Sequence, residues 1–253
     1  MQSLRNGLTV LTELSRFGGP ASLADIAELV GLHKSTVHRM LAAFIDFGLV
    51  RQEGSRYVIG LAALELTRSA QGGDAVANPV HSAIADLHLR TQARAIYAVP
   101  QFRHMTCVVA SERGEVTFPI VPVYAQLPLH CTAAGKAYLA HRSDSEIDRY
   151  AGSAPFPGGT ARAVVTGPDL LRQLAQTRQR GFAIEDREFS VHGRAVAVPV
   201  LDRTGSAVAS VAVGVPASRS HPAQQLELAE AAQECARCIS AAIYPGAGDR
   251  RAP

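Results

Sequence analysis

Residues 22–41, SLADIAELVGLHKSTVHRML, determine how the N-terminal part of the chain folds. The first half of this stretch has apolar residues at the i, i+3, i+4, i+7 spacing of one buried helix face: Leu23, Ile26, Ala27 and Val30. Ser22 and Asp25 have the spacing of a capping box, which predicts that the helix begins there. Gly31 allows the tight turn that ends it.

The second half begins another predicted helix, over residues 34–47, with an apolar face and a polar face. The apolar face consists of Val37, Met40, Leu41, Phe44 and Ile45. The polar face consists of Ser35, Thr36, His38 and Arg39, with Lys34 in the first turn. Two helices joined by a tight turn, the second one presenting hydrogen-bond donors from its N-terminal half, have the geometry that fits the major groove of DNA.

Residues 49–60, LVRQEGSRYVIG, alternate as two short strands around a turn at 53–55. Gly48 precedes them, where a left-handed residue would end the second helix. Arg51, Arg56 and Tyr57 lie on this hairpin, so they could reach phosphates beside the groove. We interpret residues 4–59 as a winged helix-turn-helix with Ser22 at its DNA-facing surface. The alternative is a small helical domain whose polar face is merely solvated.

Length and composition are typical of a soluble globular protein of two modest domains or one large one. The chain has 253 residues, 47% hydrophobic and 19% charged, and a net charge of +3, so basic residues matter only where they cluster. Four cysteines form no secreted disulfide framework, and Cys235-x-x-Cys238 is interpreted as two small helix residues rather than a metal site. We expect no metal and no cofactor. No apolar run approaches a membrane span or a signal peptide, so we expect a cytoplasmic protein with no membrane partner.

Other helical patterns surround the DNA-binding region. Residues 4–17 predict a first helix that supports the helix-turn-helix through Leu4, Leu8, Leu11 and Leu14. Residues 61–68 are again helical in period, and the weak composition shift at 71–74 marks a domain boundary. Asn78-Pro79 is expected to begin the next helix, as an N-cap followed by proline at the first helical position.

Beyond residue 93 the pattern predicts strands mixed with helices. Strands are predicted at 93–99, 105–111, 115–121 and 182–184, and a long hairpin at 194–201 and 206–215 turns at 202–205. Helices are predicted at 133–141, at 143–150 behind a Ser143-x-x-Glu146 capping box, at 168–180 ending before Gly181, and at 226–243. The fold class is therefore α+β, with an antiparallel sheet covered by helices.

Five motifs, in order along the chain, resemble the IclR family of bacterial transcriptional regulators. They are KSTVHRML (34–41), RYVIG (56–60), LPLHCTAAGKAYLA (127–140), RQRGFAIEDREF (178–189) and GVPASR (214–219). The resemblance implies a winged helix-turn-helix at 1–60, a linker helix at 61–76, a GAF-like effector-binding domain at 77–245 and a tail at 246–253. It also implies a dimer or a dimer of dimers on palindromic double-stranded DNA, and a small effector that is usually an organic acid or an aromatic metabolite.

The resemblance also suggests where the effector binds. In relatives the segment that matches Thr132, Ala133, Ala134 and Gly135 opens a helix at the pocket edge, where backbone N–H groups favour a carboxylate. Lys136 in that helix is interpreted as structural. The family's acidic pocket position falls on Glu185, a frequent cysteine on Ala195, and two serines of some relatives on Ala212 and Gly214.

These small residues distinguish the chain from relatives that bind small keto acids. Replacing polar side chains by Ala, Ala and Gly predicts a wider, more apolar pocket, so we expect an aromatic or otherwise bulky acid as effector. His192 stands where the family commonly has glycine. It is either a loop residue, which we favour, or a partner for the ligand acid.

The function expected from the sequence is ligand-gated DNA binding, without enzymatic activity. Lys34, Arg51 and Arg56 would anchor phosphates, Arg39 would contact bases, and the effector would act on the spacing of two winged domains through residues 61–70. A repressor is expected, because repressors are common in the family, and an activator is the alternative. His130-Cys131 is the best candidate for a catalytic pair, but adjacent residues rarely face each other productively. An architectural protein would lack an effector cavity.

Overall fold

The computed structural model describes residues 2–63, 66, 74–111, 121–219 and 221–244. The chain divides into two compact units, Met1–Asp74 and Ala75–Pro253. The predicted tail at 246–253, most of the predicted linker helix and residues 115–120 of the third predicted strand lie outside the described residues.

Three helices and a small antiparallel sheet are present in the described part of the N-terminal unit. The helices are α1 (Gln2–Phe17), α2 (Leu23–Val30) and α3 (Lys34–Asp46), and the strands β1 (Ala21–Ser22), β2 (Val50–Glu53) and β3 (Arg56–Ile59) pair in the order β1-β3-β2. Ser22 Oγ accepts the Asp25 N–H at 3.2 Å and Asp25 Oδ2 accepts the Ser22 N–H at 2.9 Å, so the predicted capping box is present. Gly48 (φ 68°) has the left-handed conformation predicted for it, and Gly31 (φ 64°), predicted to allow the tight turn, has the same conformation.

The buried face of α1 differs from the predicted one. Gly7, Val10 and Leu14 face the core, whereas Leu4 is 63% exposed and Leu8 is 55% exposed. Leu11 and Leu14 of the predicted stripe do pack in the core, whereas its N-terminal half does not, because Gly7 and Val10 take that side of the helix. Gly7 belongs to the buried side because a Cβ there would lie 3.3 Å from Phe44 Cζ.

The described residues of the C-terminal unit form a six-stranded antiparallel sheet with helices on both faces, which confirms the α+β class. Its helices are α4 (Asp74–Thr91), α5 (Ala133–Ala140), α6 (Asp144–Ala151), α7 (Gly167–Arg180) and α8 (Pro222–Ile243). Its strands are β4 (Arg94–Gln101), β5 (His104–Ala110), β6 (Gln126–Pro128), β7 (Ala183–Asp186), β8 (Gly193–Leu201) and β9 (Ala207–Pro216), in the order β6-β5-β4-β9-β8-β7.

Alternation along the strands divides this unit into two cores. On one face, Val211 and Val213 of β9 pack with Leu87 of α4 and Ile239 of α8. On the other face, residues from β4, β9, α5 and α7 form the second core, including Ile96, Ala212, Leu139 and Leu170. The central strands are therefore apolar on both sides, which explains their near-continuous hydrophobic sequences.

Two helix boundaries and one strand differ from the sequence predictions. Pro79 lies inside α4 instead of at its start, because the helix already begins at Asp74. Proline has no backbone N–H, so the helix lacks one hydrogen-bond donor at this position. The short strand β6 was not predicted. Helix α8 starts at Pro222, earlier than predicted, where His221 Nδ1 accepts the Gln224 N–H at 3.2 Å and caps the helix.

Candidate DNA-binding surface and effector cavity

The polar face of α3 is presented to solvent by a helix that is firmly anchored. Val37 and Leu41 are completely buried in the core of the N-terminal unit. The predicted contact residues lie on the other side: Lys34, Ser35, His38 and Arg39 are exposed and Thr36 is half-buried. Within the part of the chain that the structure describes, Lys34 and Arg39 form no ion pair or side-chain hydrogen bond. Their charges are thus available to an anionic partner.

The predicted hairpin residues do not all reach the surface. Arg51 forms an exposed ion pair with Glu53 at 2.5 Å, and Arg56 Nη1 donates to the Pro20 carbonyl at 2.9 Å, so both guanidinium groups lie outside the core. Tyr57 is only 5% exposed and belongs to the core, so the prediction that it faces DNA is wrong. Register explains this, because Tyr57 pairs with the buried Ala21 of β1. Ser22 is half-buried as the α2 cap.

A cavity of about 170 Å³ lies within the C-terminal unit, on the α5 side of the sheet. Its described walls are Arg94, Ile96, Val121, Pro122, Ala125, Glu185, Phe189, Ser190, Gly193, Arg194, Ala195, Ala212 and Gly214. Ala195, Ala212 and Gly214 project little or no side chain into this space. The cavity is therefore open above the sheet where larger residues would fill it.

The structure brings together some of the predicted effector residues and separates others. Glu185, Ala195, Ala212 and Gly214, the positions suggested by the family resemblance, all line the cavity. The buried segment Thr132–Gly135 does not: Thr132 Oγ1 accepts the Gly135 N–H at 3.0 Å and donates to the Pro128 carbonyl at 2.7 Å, which uses this hydroxyl in capping α5. His192 is exposed in the turn before β8 and does not line the cavity, in agreement with the loop interpretation.

Arg94 and Arg194 are cavity residues that the sequence interpretation missed. Arg94 donates to the carbonyls of Ser111 and Val121, and Arg194 Nε donates to Asp186 Oδ1 at 2.5 Å. A signal existed in the sequence, since Arg94 precedes Ile96 by two residues and therefore shares its sheet face. A charged residue at the start of a buried strand is unusual enough to mark a site.

Glu185 is the buried acid of the cavity. Its Oε1 accepts the N–H groups of Glu188 at 3.0 Å and Phe189 at 3.2 Å, and its side chain is 6% exposed. Burial raises the pKa of Glu185 to about 7, although the two N–H donors and Lys136 act in the opposite direction. The carboxyl group is thus poised to change its ionisation near neutral pH.

Lys136 has the structural role that the sequence suggested. Its ammonium is buried and lies 2.6 Å from Glu188 Oε1 and 2.9 Å from Gln173 Oε1. Burial lowers the pKa of Lys136, while the carboxylate of Glu188 opposes that change. The ion pair ties α5 to the turn that follows Glu185.

The geometry gives no support to a catalytic pair at His130 and Cys131. Both side chains are buried, and burial raises the pKa of the Cys131 thiol to about 12, so no thiolate is available at neutral pH. His130 stacks on Phe156 with ring centroids 5.1 Å apart. The described residues contain no group of three or more potential metal ligands, and none of their helices is long and apolar enough to cross a membrane.

Comparison with known proteins agrees with these two units. The profile of the IclR helix-turn-helix domain matches residues 3–54, and that of the bacterial transcriptional regulator IclR C-terminal domain matches residues 75–241. The probable transcriptional regulator SauR of Cupriavidus necator is 31% identical over 83% of this chain and 84% of its own length. The transcriptional repressor IclR of Escherichia coli is 28% identical over 87% of this chain and 81% of its own length.

A solved structure has the same fold. An IclR homologue from Microbacterium hydrocarbonoxydans, crystallised with 4-hydroxybenzoate, superposes with a TM-score of 0.83 at 19% identity, over 95% of this chain and 98% of that one. The matched profiles together cover most of the present sequence. The chain accordingly belongs to the IclR family and is a DNA-binding transcriptional regulator, not an enzyme.

Proposed function

We propose that this regulator is a repressor that binds a palindromic operator as a dimer or a dimer of dimers and responds to a small aromatic acid. The observation that carries the DNA-binding part is the anchored α3 helix, whose exposed Lys34 and Arg39 have no acidic partner among the described residues. Relatives named as repressors, among them that of Escherichia coli, favour repression over activation. Such a protein would work in the cytoplasm, where its operator lies.

The DNA-contacting residues of the N-terminal unit would have two roles: some would contact bases and others would contact phosphates. Arg39, with His38, Ser35 and Thr36 beside it, would contact base edges, because a guanidinium can donate two hydrogen bonds to one guanine. Lys34, Arg51 and Arg56 would contact phosphates, which position the protein without carrying sequence information. Ser22, which caps α2, would lie near the DNA backbone.

The size and the walls of the cavity favour an aromatic acid. An engineered apolar cavity of roughly 150 Å³ can hold benzene, so a space of about 170 Å³ has room for one ring. This space is smaller than most ligand pockets and argues against a bulkier effector. Arg94 in the walls suits an anionic group. The homologue crystallised with 4-hydroxybenzoate makes this chemical class plausible for the fold.

The DNA-binding proposal is tested by fluorescence anisotropy with the DNA upstream of the protein's own gene, at fixed salt and with nonspecific DNA present. Arg39→Ala should weaken specific binding by about 1–3 kcal/mol and reduce discrimination against altered operators. Lys34→Ala should weaken binding to all sequences and lower the salt dependence by about one counterion. Arg90→Ala, an exposed substitution in the other unit, is the matched control.

The repressor and effector parts are tested with the same complex. Addition of a small aromatic acid should release the operator, and deletion of the gene should raise transcription of the adjacent operon. Transcription that falls upon deletion would identify an activator instead. If the Arg39→Ala variant binds the operator as tightly as the wild type, the assignment of α3 as the helix that contacts bases is contradicted.

A further inference from the structure

Three arginine side chains converge on one carboxylate at the end of β7, on the surface of the C-terminal unit. Asp186 Oδ1 accepts hydrogen bonds from Arg194 Nε at 2.5 Å and from Arg187 Nε at 3.1 Å. Asp186 Oδ2 accepts another from Arg162 Nη1 at 3.3 Å. Arg162 and Arg187 form no ion pair with any other acidic side chain in the part of the chain that the structure describes. One negative charge is therefore shared among three positive charges.

The carboxylate of Asp186 is most strongly engaged by Arg194. This pair has the shortest distance of the three, and the hydrogen bond from Arg194 is the largest of the causes that lower the pKa of Asp186. Arg194 also donates to the Ala217 carbonyl, so its guanidinium group is held within the fold. The charges of Arg162 and Arg187 are consequently the less compensated ones.

These two guanidinium groups have hydrogen-bond donors to spare. A guanidinium group carries five N–H donors in a planar fork. Arg162 contacts Asp186 through Nη1 alone and Arg187 contacts it through Nε alone, so Nη2 of Arg162 and both Nη atoms of Arg187 have no partner among the described residues. The side chain of Arg162 is 55% exposed and that of Arg187 is 33% exposed. A ligand in solution can therefore reach both groups.

The backbone holds the two arginines in place before any ligand binds. Thr160 Oγ1 donates to the Arg187 carbonyl at 2.6 Å and accepts the Arg162 N–H at 3.1 Å, while the Thr160 N–H donates to the Glu188 carbonyl at 2.8 Å. Arg187 has a φ of 60°, which is costly for a residue other than glycine, and its N–H donates to the Gly193 carbonyl at 3.1 Å. A ligand therefore has little chain entropy to remove at this surface.

Two guanidinium forks beside one shared carboxylate suit a ligand with two negative charges and several acceptor oxygens. A phosphoryl group has both, whereas a single carboxylate can occupy only one fork. We propose that Arg162 and Arg187 form a surface site for the dianionic phosphoryl group of a small molecule, either inorganic phosphate or a phosphate monoester. Asp186 is a positioning residue, because it holds the two guanidinium groups together against their mutual repulsion. Neither arginine belongs to the described walls of the effector cavity, so this site is independent of the proposed aromatic effector.

Isothermal titration calorimetry with the full chain, at constant ionic strength in chloride, tests the proposal. The ligands are inorganic phosphate, glucose 6-phosphate and uncharged glucose, at a pH above 7, where a phosphate monoester is a dianion because its second pKa is about 6. We expect inorganic phosphate to bind and glucose to give no heat of binding. Glucose 6-phosphate that binds as tightly as inorganic phosphate identifies a site for monoesters, and exclusion of glucose 6-phosphate identifies a site for the free ion.

Substitutions assign the binding to the two arginines. Arg162→Gln and Arg187→Gln should each weaken phosphate binding at least about tenfold, since each removes charge-assisted hydrogen bonds to the ligand. Arg172→Gln is the matched control, because Arg172 is also an exposed arginine paired with one aspartate, and it should leave the affinity unchanged. Ala195→Leu, which fills the effector cavity, should leave it unchanged as well.

Several results would overturn the proposal. Absence of saturable binding by inorganic phosphate and by glucose 6-phosphate would show that the cluster is no phosphoryl site. Phosphate binding that survives both arginine substitutions, or that Ala195→Leu abolishes, would place the anion elsewhere. Weaker operator binding by Arg162→Gln and Arg187→Gln, without phosphate binding by the wild type, would assign the arginines to the DNA backbone instead. If Arg187→Gln fails to fold, the exposed Arg162→Gln decides the question alone.

Discussion

Replacing Lys136 by methionine would remove one charge from an ion pair that is buried on both sides. The side chains of Lys136 and Glu188 are 2% and 8% exposed, and their charged atoms are 2.6 Å apart. Methionine keeps most of the volume of lysine, so the effect reports the lost charge. Glu188 would remain buried without a cation, and its Oε2 already lacks a partner among the described residues. We expect the free energy of unfolding of the C-terminal unit to fall by about 3–5 kcal/mol.

A second substitution separates the charge from the packing. In the double variant Lys136→Met, Glu188→Leu neither charge is buried, and apolar replacement of a buried pair is often neutral. We therefore expect the double variant to recover most of the lost stability. This recovery would appear as a coupling energy of at least about 2 kcal/mol between the two positions.

Urea unfolding of the full chain, followed by far-UV circular dichroism, measures these differences. Arg90→Met is the matched control, because it breaks the exposed ion pair with Glu234 and should leave the transition unchanged. The reasoning is refuted if Lys136→Met behaves like this control, or if the double variant is no more stable than Lys136→Met alone.

Three further predictions concern the same unit. Gly135→Ala should destabilise the C-terminal unit by about 1–3 kcal/mol, because the new Cβ would lie 2.4 Å from Leu129 Cα. The higher helix propensity of alanine is too small to offset this clash. An unchanged urea midpoint would contradict the prediction. Burial raises the pKa of Glu185 from its ordinary 4.5 to about 7, so the stability contributed by its bound proton is complete below pH 4.5 and is lost as the pH rises through 7. At about 1.4 kcal/mol per pH unit the loss is about 3 kcal/mol, and it should be absent from Glu185→Gln; parallel stability profiles of the two proteins between pH 5 and 8 would refute it. Ala195→Leu should fill the cavity and abolish binding of 4-hydroxybenzoate in calorimetry while leaving operator affinity unchanged, and retained ligand binding would place the effector elsewhere.

Local signals in the sequence determined most of the secondary structure. The capping boxes at Ser22 and Ser143 and the left-handed glycines at Gly31 and Gly181 act through hydrogen bonds and backbone angles within a few residues. For that reason a sequence pattern suffices to identify them. The apolar and polar faces of α3 were likewise evident, because one helix carries both and its period is fixed.

Burial was harder to predict where more than one face was apolar or where a strand had two possible sides. Leu4 and Leu8 are exposed because α1 packs through Val10 and Leu14, a choice made by the helices that surround it. Tyr57 is buried because of its pairing with β1, which no local pattern specifies. In each case the competing arrangements have similar local energies, and tertiary packing decides between them.

The cavity shows the same division between local and distant information. The family resemblance marked Glu185, Ala195, Ala212 and Gly214 as pocket positions. Only the strand register brings Arg94 to the same cavity, because β4 and β9 are far apart in the chain and a slip by one residue would turn every side chain to the other face. The types of residue available to the site were thus determined by the sequence itself. Which of them meet was decided by hydrogen bonds between distant strands.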